Sequence, residues 1–245
     1  MSYDLFSCYY DLLIDDEDSE KRNKFYAELL NKNGADSGIL LDLGCGTGTM
    51  SIYMASIGYD VIGVDASTGM LIKAREKIDD SGKSILLLNQ DMTALDLYGT
   101  IDCAVCALDC LNHLPDKDAV SQALSGVSLF MNSGGIFVFD VNTVYKHREI
   151  LADNAFIYDT DEVFCVWQNF LNADNSVDIS LDFFEKTGEL YSRETEFFTE
   201  RAYSICELED IVDKAGFDVL SINDDLSYDG LKENSERAVF TVKKR

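Results

Sequence analysis

Residues 41–50 read "LDLGCGTGTM", with glycines at alternate positions, Gly44, Gly46 and Gly48. The apolar run "ILLDL" (39–43) precedes them as a short strand, and residues 48–57 carry a helical pattern. A strand, a glycine turn and a helix together are the setting of a nucleotide-binding turn. The turn is not a P-loop, because no Gly-Lys-Ser/Thr follows. It also departs from the dinucleotide fingerprint Gly-x-Gly-x-x-Gly. Counted from Gly44, the third glycine should stand at position 49, which is Thr49, and it comes one residue early at Gly48. Asp42, at the strand's end, sits badly beside a pyrophosphate and suits a ligand with a cationic group. A nicotinamide-dependent oxidoreductase therefore stays a disfavoured alternative.

Two more acids stand at strand ends. "DVIGVD" (60–65) places Asp65 at the carboxyl end of a second strand, where this kind of sheet meets a ribose. "SILLLNQD" (84–91) ends on Asp91, which can accept from an exocyclic amino group such as that of adenine. Acids at three successive strand ends beside a glycine turn describe an adenosine that carries an amino acid.

The rest of the chain extends the pattern. "TGMLIKAREKI" (68–78) and "DKDAVSQALSGVSLFM" (116–131) have helical spacing, and "IDCAVCAL" (101–108) and "GGIFVFDV" (134–141) are two further strands. Near-continuous apolar strands separated by helices predict a parallel sheet covered on both faces. Residues 161–203 then hold three strand-type segments joined by short turns with Asn-Ala-Asp-Asn and Thr-Gly, the signature of antiparallel hairpins. "CELEDIVDKAGF" is a helix stopping at Gly216. "DVLSIND" and "RAVFTVKK" close the chain as strands, and residues 18–33 form a helix before the first strand.

"LDLGCGTG", "VIGVDASTGML" and "NQDM" resemble, in order and spacing, the class I S-adenosylmethionine-dependent methyltransferases. The resemblance covers residues 36–141. "SYDLFSCYYDLL" and "ERAYSICELEDIVDKAGF" are similar to a small-molecule branch of that family. It implies an α/β, Rossmann-like fold with a seven-stranded mixed sheet of order 3-2-1-4-5-7-6 and helices on both faces. The implied organisation is an N-terminal helical cap (1–35), a core (36–160 and 204–245) and an antiparallel β insertion (161–203) over the active site. The implied cofactor is S-adenosyl-L-methionine, and the glycine turn lets backbone approach its methionine half.

The resemblance also implies roles. Gly44, Cys45, Gly46 and Gly48 line the cofactor. Asp42 orients the turn or meets the cofactor's ammonium through water. Asp65 holds the ribose hydroxyls, followed by Ala66, while Met70 packs on adenine. Asp91 takes the adenine amino group and Met92 covers the ring. Leu108, Asp109, Asn112 and His113 lie beneath the sulfonium and the substrate, and Tyr10 reaches the cofactor from above. His113 is the one candidate catalytic residue, with a packed or solvated histidine as its rival. Asp109 as a turn cap and Tyr10 as core are the corresponding rivals. Methyl transfer from a sulfonium is an in-line displacement in which positioning supplies much of the rate. A base is required only where the nucleophile must lose a proton.

Composition narrows the acceptor. With 45 acids against 20 basic residues the net charge is −25, which opposes a polyanionic partner. The segment after the fourth strand reads "LDCLNHL" and lacks the Asn/Asp-Pro-Pro-Tyr/Phe of enzymes that methylate base amino groups or Gln amides. A small-molecule acceptor methylated at nitrogen or oxygen is expected, without nucleic acid or membrane as partner. The insertion's aromatic residues suit its own core, a homodimer interface or a roof over the acceptor. The seven cysteines are scattered. In "CAVCALDC", Cys103 and Cys106 point to opposite faces of a strand, so no metal site is expected. The acidic N-terminus does not read as a signal peptide, and a cytoplasmic location is expected. A module that binds the cofactor without catalysis, to regulate a partner, is the second alternative.

Overall fold

The computed structural model describes residues 6–13 and 16–245. Two helices come first, α1 (Phe6–Leu13) and α2 (Asp16–Lys32). Strand β1 (Ile39–Leu43) enters the glycine turn and α3 (Thr49–Ser56) leaves it. There follow β2 (Asp60–Asp65), α4 (Thr68–Ser81), β3 (Ile85–Asn89), β4 (Ile101–Cys106), α5 (Lys117–Phe130) and β5 (Met131–Asn142). A four-stranded unit comes next: β6 (Ala155–Asp159), β7 (Val163–Leu171), β8 (Ser176–Thr187) and β9 (Leu190–Arg201). Helix α6 (Ile205–Lys214), β10 (Phe217–Asp224) and β11 (Arg237–Lys244) end the chain.

The main sheet has the order β10-β11-β5-β4-β1-β2-β3. Counting its own strands in chain order, this is 3-2-1-4-5-7-6, as the sequence implies. The neighbours from β3 to β5 run parallel, and β11 lies antiparallel to both β5 and β10. Alternation along the strands divides the core between the two faces. Leu41, Leu43, Ala104, Cys106 and Phe139 pack with α5 and α6 through Val120, Leu124, Leu208 and Val212. Leu40, Val61, Cys103 and Val105 pack with α2, α3 and α4 through Tyr26, Leu30, Met54 and Ala74. Cys103 and Cys106 thus fall on opposite faces, as period-two geometry requires.

Two differences from the sequence reading concern the pieces around the site. Helix α2, expected within a cap, lies on the sheet face, its Phe25, Tyr26, Leu29 and Leu30 buried there. Of the two N-terminal helices, α1 alone joins the inserted sheet. The insertion has four strands and begins at Ala155, ahead of residue 161, because β6 pairs with β7 from Ala155 to Asp159. Alternation along "AFIYD" is weak over so short a run, so this edge strand is hard to see in sequence. The hairpin turns lie where expected, with Asn175 (φ 66°) and Gly188 (φ 67°) in the left-handed region. Phe6 of α1, Met70 of α4 and Phe183 and Phe198 of the insertion form a third apolar cluster. It fastens the insertion and α1 over the carboxyl ends of the core strands. Lys77 of α4 seats α1 as well, donating to Asp11 Oδ2 at 2.8 Å and to Thr49 Oγ1 at 2.8 Å. Among the described residues no helix is long and apolar enough to cross a membrane.

Candidate active site

The turn after β1 is folded by its neighbour strand. Gly44 and Cys45 both donate their N–H to the Val64 carbonyl, at 2.8 and 3.0 Å. Gly44, Gly46 and Gly48 all have positive φ, 73°, 53° and 81°. The reason for glycine differs at each. A Cβ on Gly44 would stand 2.6 Å from Cys110 Sγ, and one on Gly48 would stand 3.2 Å from Ala74 Cβ. A Cβ on Gly46 would meet nothing within 4 Å among the described residues beyond its chain neighbours. Gly44 and Gly48 therefore let protein approach protein, and Gly46 alone of the three opens on empty space. The implied ligand role of Gly48 is not borne by its position against α4.

Two of the strand-end acids build this turn. Asp65 Oδ2 accepts from Gly46 N (2.9 Å) and Oδ1 from Ser67 N (2.8 Å), so one carboxylate ties the turn to the start of α4. Burial raises its pKa. Asp42 is buried and accepts from Ser51 Oγ at 2.5 Å, which joins the end of β1 to α3; burial pushes its carboxyl up to about 7. Asp91 instead caps the single turn Met92–Ala94, accepting from Thr93 N and Oγ1, each at 2.8 Å.

Two adjoining cavities open at the turn, and Tyr10, Gly44, Gly46 and Leu108 line both. The first runs toward α2 and is lined further by Asp42, Cys45, Arg22 and Asn23. The second runs toward β2 and β3 and is lined further by Asp65, Ala66, Met70, Asp91, Met92 and His113. Of the residues singled out from sequence, Gly48, Asp109 and Asn112 line neither. Tyr10 comes from α1, with Phe6 edge-on to it at 5.2 Å. Burial, then the nearby Cys110 and Asp109, raise its pKa, so its hydroxyl stays a neutral donor.

The wall between β4 and the second cavity is held in an uncommon conformation. Leu108 and Asp109 both have positive φ, 62° and 51°. That region costs a non-glycine residue roughly 1–3 kcal/mol. Asp140, buried at the end of β5, secures them: its carboxylate accepts from Leu108 N (2.9 Å) and Asp109 N (2.6 Å). The same carboxylate accepts from Tyr26 Oη and Arg237 Nη1. Arg237 Nη2 reaches Asp109 Oδ1 at 2.6 Å. Asp109 is thus an ion-pair partner, and its side chain makes no capping bond to the turn Cys110–His113. Asp140 and Arg237 were missed in the sequence, although Asp140 carries the signal that marked Asp42 and Asp65, an acid at the end of an apolar strand. Asn112 is corrected: it is fully buried and its amide is spent on the protein. It donates to Asn142 O and Arg201 O and accepts from Asn142 N, stapling β5 to β9.

Beside this wall three protic groups converge. His113 Nε2 lies 3.8 Å from Asp109 Oδ2 and 3.9 Å from Glu200 Oε1, and its ring packs on Phe198 at 5.3 Å. Glu200, on β9, is buried. Burial opposes its charge, but His147, His113 and Asn142 outweigh that and hold its carboxyl down to about 2. Asn142 Nδ2 donates to Oε2 at 3.1 Å. His147 Nε2 lies 3.7 Å from the same oxygen. At that separation no hydrogen bond is formed between them. The absence of a metal site was expected from the cysteines alone. Asp109, His113 and Glu200 are the group among the described residues whose donor types and spacing could also accept a cation.

The comparisons with known proteins agree with this arrangement. Residues 40–135, from β1 into β5, match the methyltransferase domain family. A protein of Geobacillus sp. (strain WCH70) that bears a methyltransferase name is 31% identical over 247 residues, covering 100% of both chains. The crystal structure of an S-adenosylmethionine-dependent methyltransferase from Clostridium acetobutylicum ATCC 824 superposes with a TM-score of 0.89 at 32% identity. The match covers 97% of this chain and 96% of that one. The sugar N-methyltransferase KedS8 from Streptoalloteichus sp. ATCC 53650 has the same fold, with a TM-score of 0.80 at 16% identity, over 96% and 92% of the two chains. These similarities displace both the nicotinamide oxidoreductase and the non-catalytic module. With the sheet order and the glycine turn already in place, they make the chain a class I S-adenosylmethionine-dependent methyltransferase.

Proposed function

We propose that the chain methylates a nitrogen or oxygen of a small molecule, with the cofactor spanning the two cavities. The observation that carries this reading is their junction at Tyr10, Gly44, Gly46 and Leu108, with His113 on the wall beside it. S-Adenosylmethionine, when bound, supplies an electrophilic methyl group and a neutral leaving group. The fit rests on Gly46, whose Cβ side is empty, and on Asp65, whose two oxygens keep lone pairs for ribose hydroxyls beyond the bonds they accept. Met70 and Met92 enclose the adenine, and Asp91 lies at its edge. The methionine portion follows Cys45 and Gly46 into the first cavity, toward Asp42.

The remaining chemistry is positioning and proton transfer. Leu108, fixed by Asp140, and Tyr10, carried by α1, hold the acceptor in line. Phe6 and Phe198 exclude water from above, which strengthens every polar contact beneath. His113 takes the acceptor's proton where one must leave, and Asp109 and Glu200 stabilise the imidazolium that results. The sugar N-methyltransferase among the structural neighbours is in keeping with nitrogen as the attacked atom. Phe170 and Phe197 stand out exposed from the insertion, and a homodimer through that surface belongs to the same proposal.

The test uses S-adenosylmethionine with a deuterated methyl group and a cell extract divided by size. Label is expected in the low-molecular-weight fraction, on nitrogen or oxygen. Label confined to the macromolecular fraction would overturn the small-molecule reading. In the same assay His113→Asn should lower turnover about 100-fold, the lower range for loss of a general base. Its affinity for S-adenosylhomocysteine should be unchanged. Full turnover in His113→Asn would remove the histidine from proton transfer.

A further inference from the structure

Donor atoms from two separate parts of the chain face one point. Asp109 Oδ2 and His113 Nε2, on the turn after β4, lie 3.8 Å apart, and Glu200 Oε1, on β9, lies 3.9 Å from the same nitrogen. All of them fall within 4.8 Å of one another. Each acid turns its left-over oxygen to that point. Asp109 Oδ1 is taken by Arg237 Nη2 at 2.6 Å, and Glu200 Oε2 by Asn142 Nδ2 at 3.1 Å. Glu200 is 3% exposed, yet its Oε1 accepts no hydrogen bond among the described residues. A carboxylate oxygen buried without a donor is costly, and the imidazole at 3.9 Å is too far to supply one. Closing the edges of 3.8 and 3.9 Å by about half an ångström gives the spacing of roughly 3.4 Å that bonds of about 2.1 Å make around a tetrahedral ion. His113 lines the second cavity, so a fourth position is open on that side. One imidazole and two carboxylates suit a zinc-class ion, whereas calcium and magnesium want a fuller set of oxygens. The surrounding charge stays negative, with Asp109, Asp140 and Glu200 set against Arg237 and Lys146.

We propose that Asp109, His113 and Glu200 form a site for a zinc-class divalent ion, and that the ion, by occupying the histidine nitrogen, holds methyl transfer off. The site stands on its own geometry, and the inhibition rests on the proton-transfer role of His113 proposed above. A metal takes the lone pair of a neutral imidazole, the same lone pair that receives the acceptor's proton. Glu200 belongs to the insertion and the other two ligands to the core, so the ion also fastens one to the other.

Cobalt(II) added to the metal-free protein tests the site without a turnover assay. An equimolar complex with visible d–d bands is expected, without the near-ultraviolet band that ligation by the free cysteines would give. Zinc should displace the cobalt, and saturation should raise the melting temperature, as any ligand of the folded state does. His113→Asn and Glu200→Gln should each weaken cobalt by at least the roughly 10- to 100-fold that groups behind a metal's ligands are worth. No complex in the unmutated protein, a thiolate band, or unweakened binding in both variants would overturn the site. The first two results are readable even if the variants do not fold. For the inhibition, the small-molecule fraction of the cell extract is freed of metal on a chelating resin. Methyl transfer to it should fall in step with zinc occupancy and return with a chelator, and full turnover by zinc-saturated protein would overturn the inhibition. The proton-transfer reading fails differently, as full turnover of His113→Asn in the absence of metal.

Discussion

Asp140→Ala is expected to lower the melting temperature by roughly 10 °C and to abolish measurable binding of S-adenosylhomocysteine. The stability loss follows from the number of groups that one carboxylate serves. Leu108 N, Asp109 N, Tyr26 Oη and Arg237 Nη1 all donate to it inside the protein. Removing it leaves Arg237 buried with one acid in place of two. Breaking a buried pair costs about 3–5 kcal/mol, and in a chain of this size each kcal/mol moves the midpoint by about 2–4 °C. The binding loss follows from the backbone. Leu108 and Asp109 keep their left-handed conformation because Asp140 holds both amides, and Leu108 is a wall of both cavities. Asp140→Asn, which keeps one acceptor oxygen, should fall between the two in both thermal denaturation and calorimetry. For Asp140→Ala, a midpoint within about 2 °C of the unmutated protein, the effect of one kcal/mol or less, would show that the network is not holding the wall.

Gly46→Val should weaken cofactor binding by about 100-fold while leaving the protein folded, the upper end of what overfilling a packed space costs. Gly46 has φ 53°. A β-branched residue in that left-handed region is strained by roughly 1–2 kcal/mol, so a drop of a few degrees in the melting temperature is expected. Beyond the chain neighbours of Gly46, no atom of the described residues stands within 4 Å of the new Cβ, so the added carbons extend into the cavity and not into the core. Gly44 supplies the contrast. Its Cβ would meet Cys110 Sγ at 2.6 Å, so Gly44→Ala should lose stability before affinity. A folded Gly46→Val that binds S-adenosylhomocysteine normally, seen in paired calorimetry and thermal melts, would mean that the ligand does not pass over the turn.

The core of the fold was legible because each strand announces itself by an apolar run and ends on a chemically marked residue. Asp42 and Asp65 marked the ends of β1 and β2, Asp91 follows the end of β3 at Asn89 by two residues, and helical spacing placed α4 and α5 between the strands. Their dual use was not legible. Asp65 serves the turn through Gly46 N and Ser67 N, and Asp91 serves Thr93, before either meets a ligand. The glycines read alike in sequence, yet what surrounds their missing Cβ atoms comes from α4, from the turn after β4 and from open space. Such differences depend on elements far apart in the chain. The same holds for Arg237 and Asp140, 97 residues apart, and for Glu200, which β9 carries to His113.

A crystal structure with S-adenosylhomocysteine tests the account most directly. The adenosine is expected between Asp65 and Met92, with the ribose hydroxyls on the Asp65 carboxylate. The thioether is expected at the junction by Tyr10 and Leu108, and the methionine portion in the first cavity beside Cys45 and Gly46. A ligand bound in the reverse sense, or one that leaves the cavity beside Gly46 empty, would contradict it.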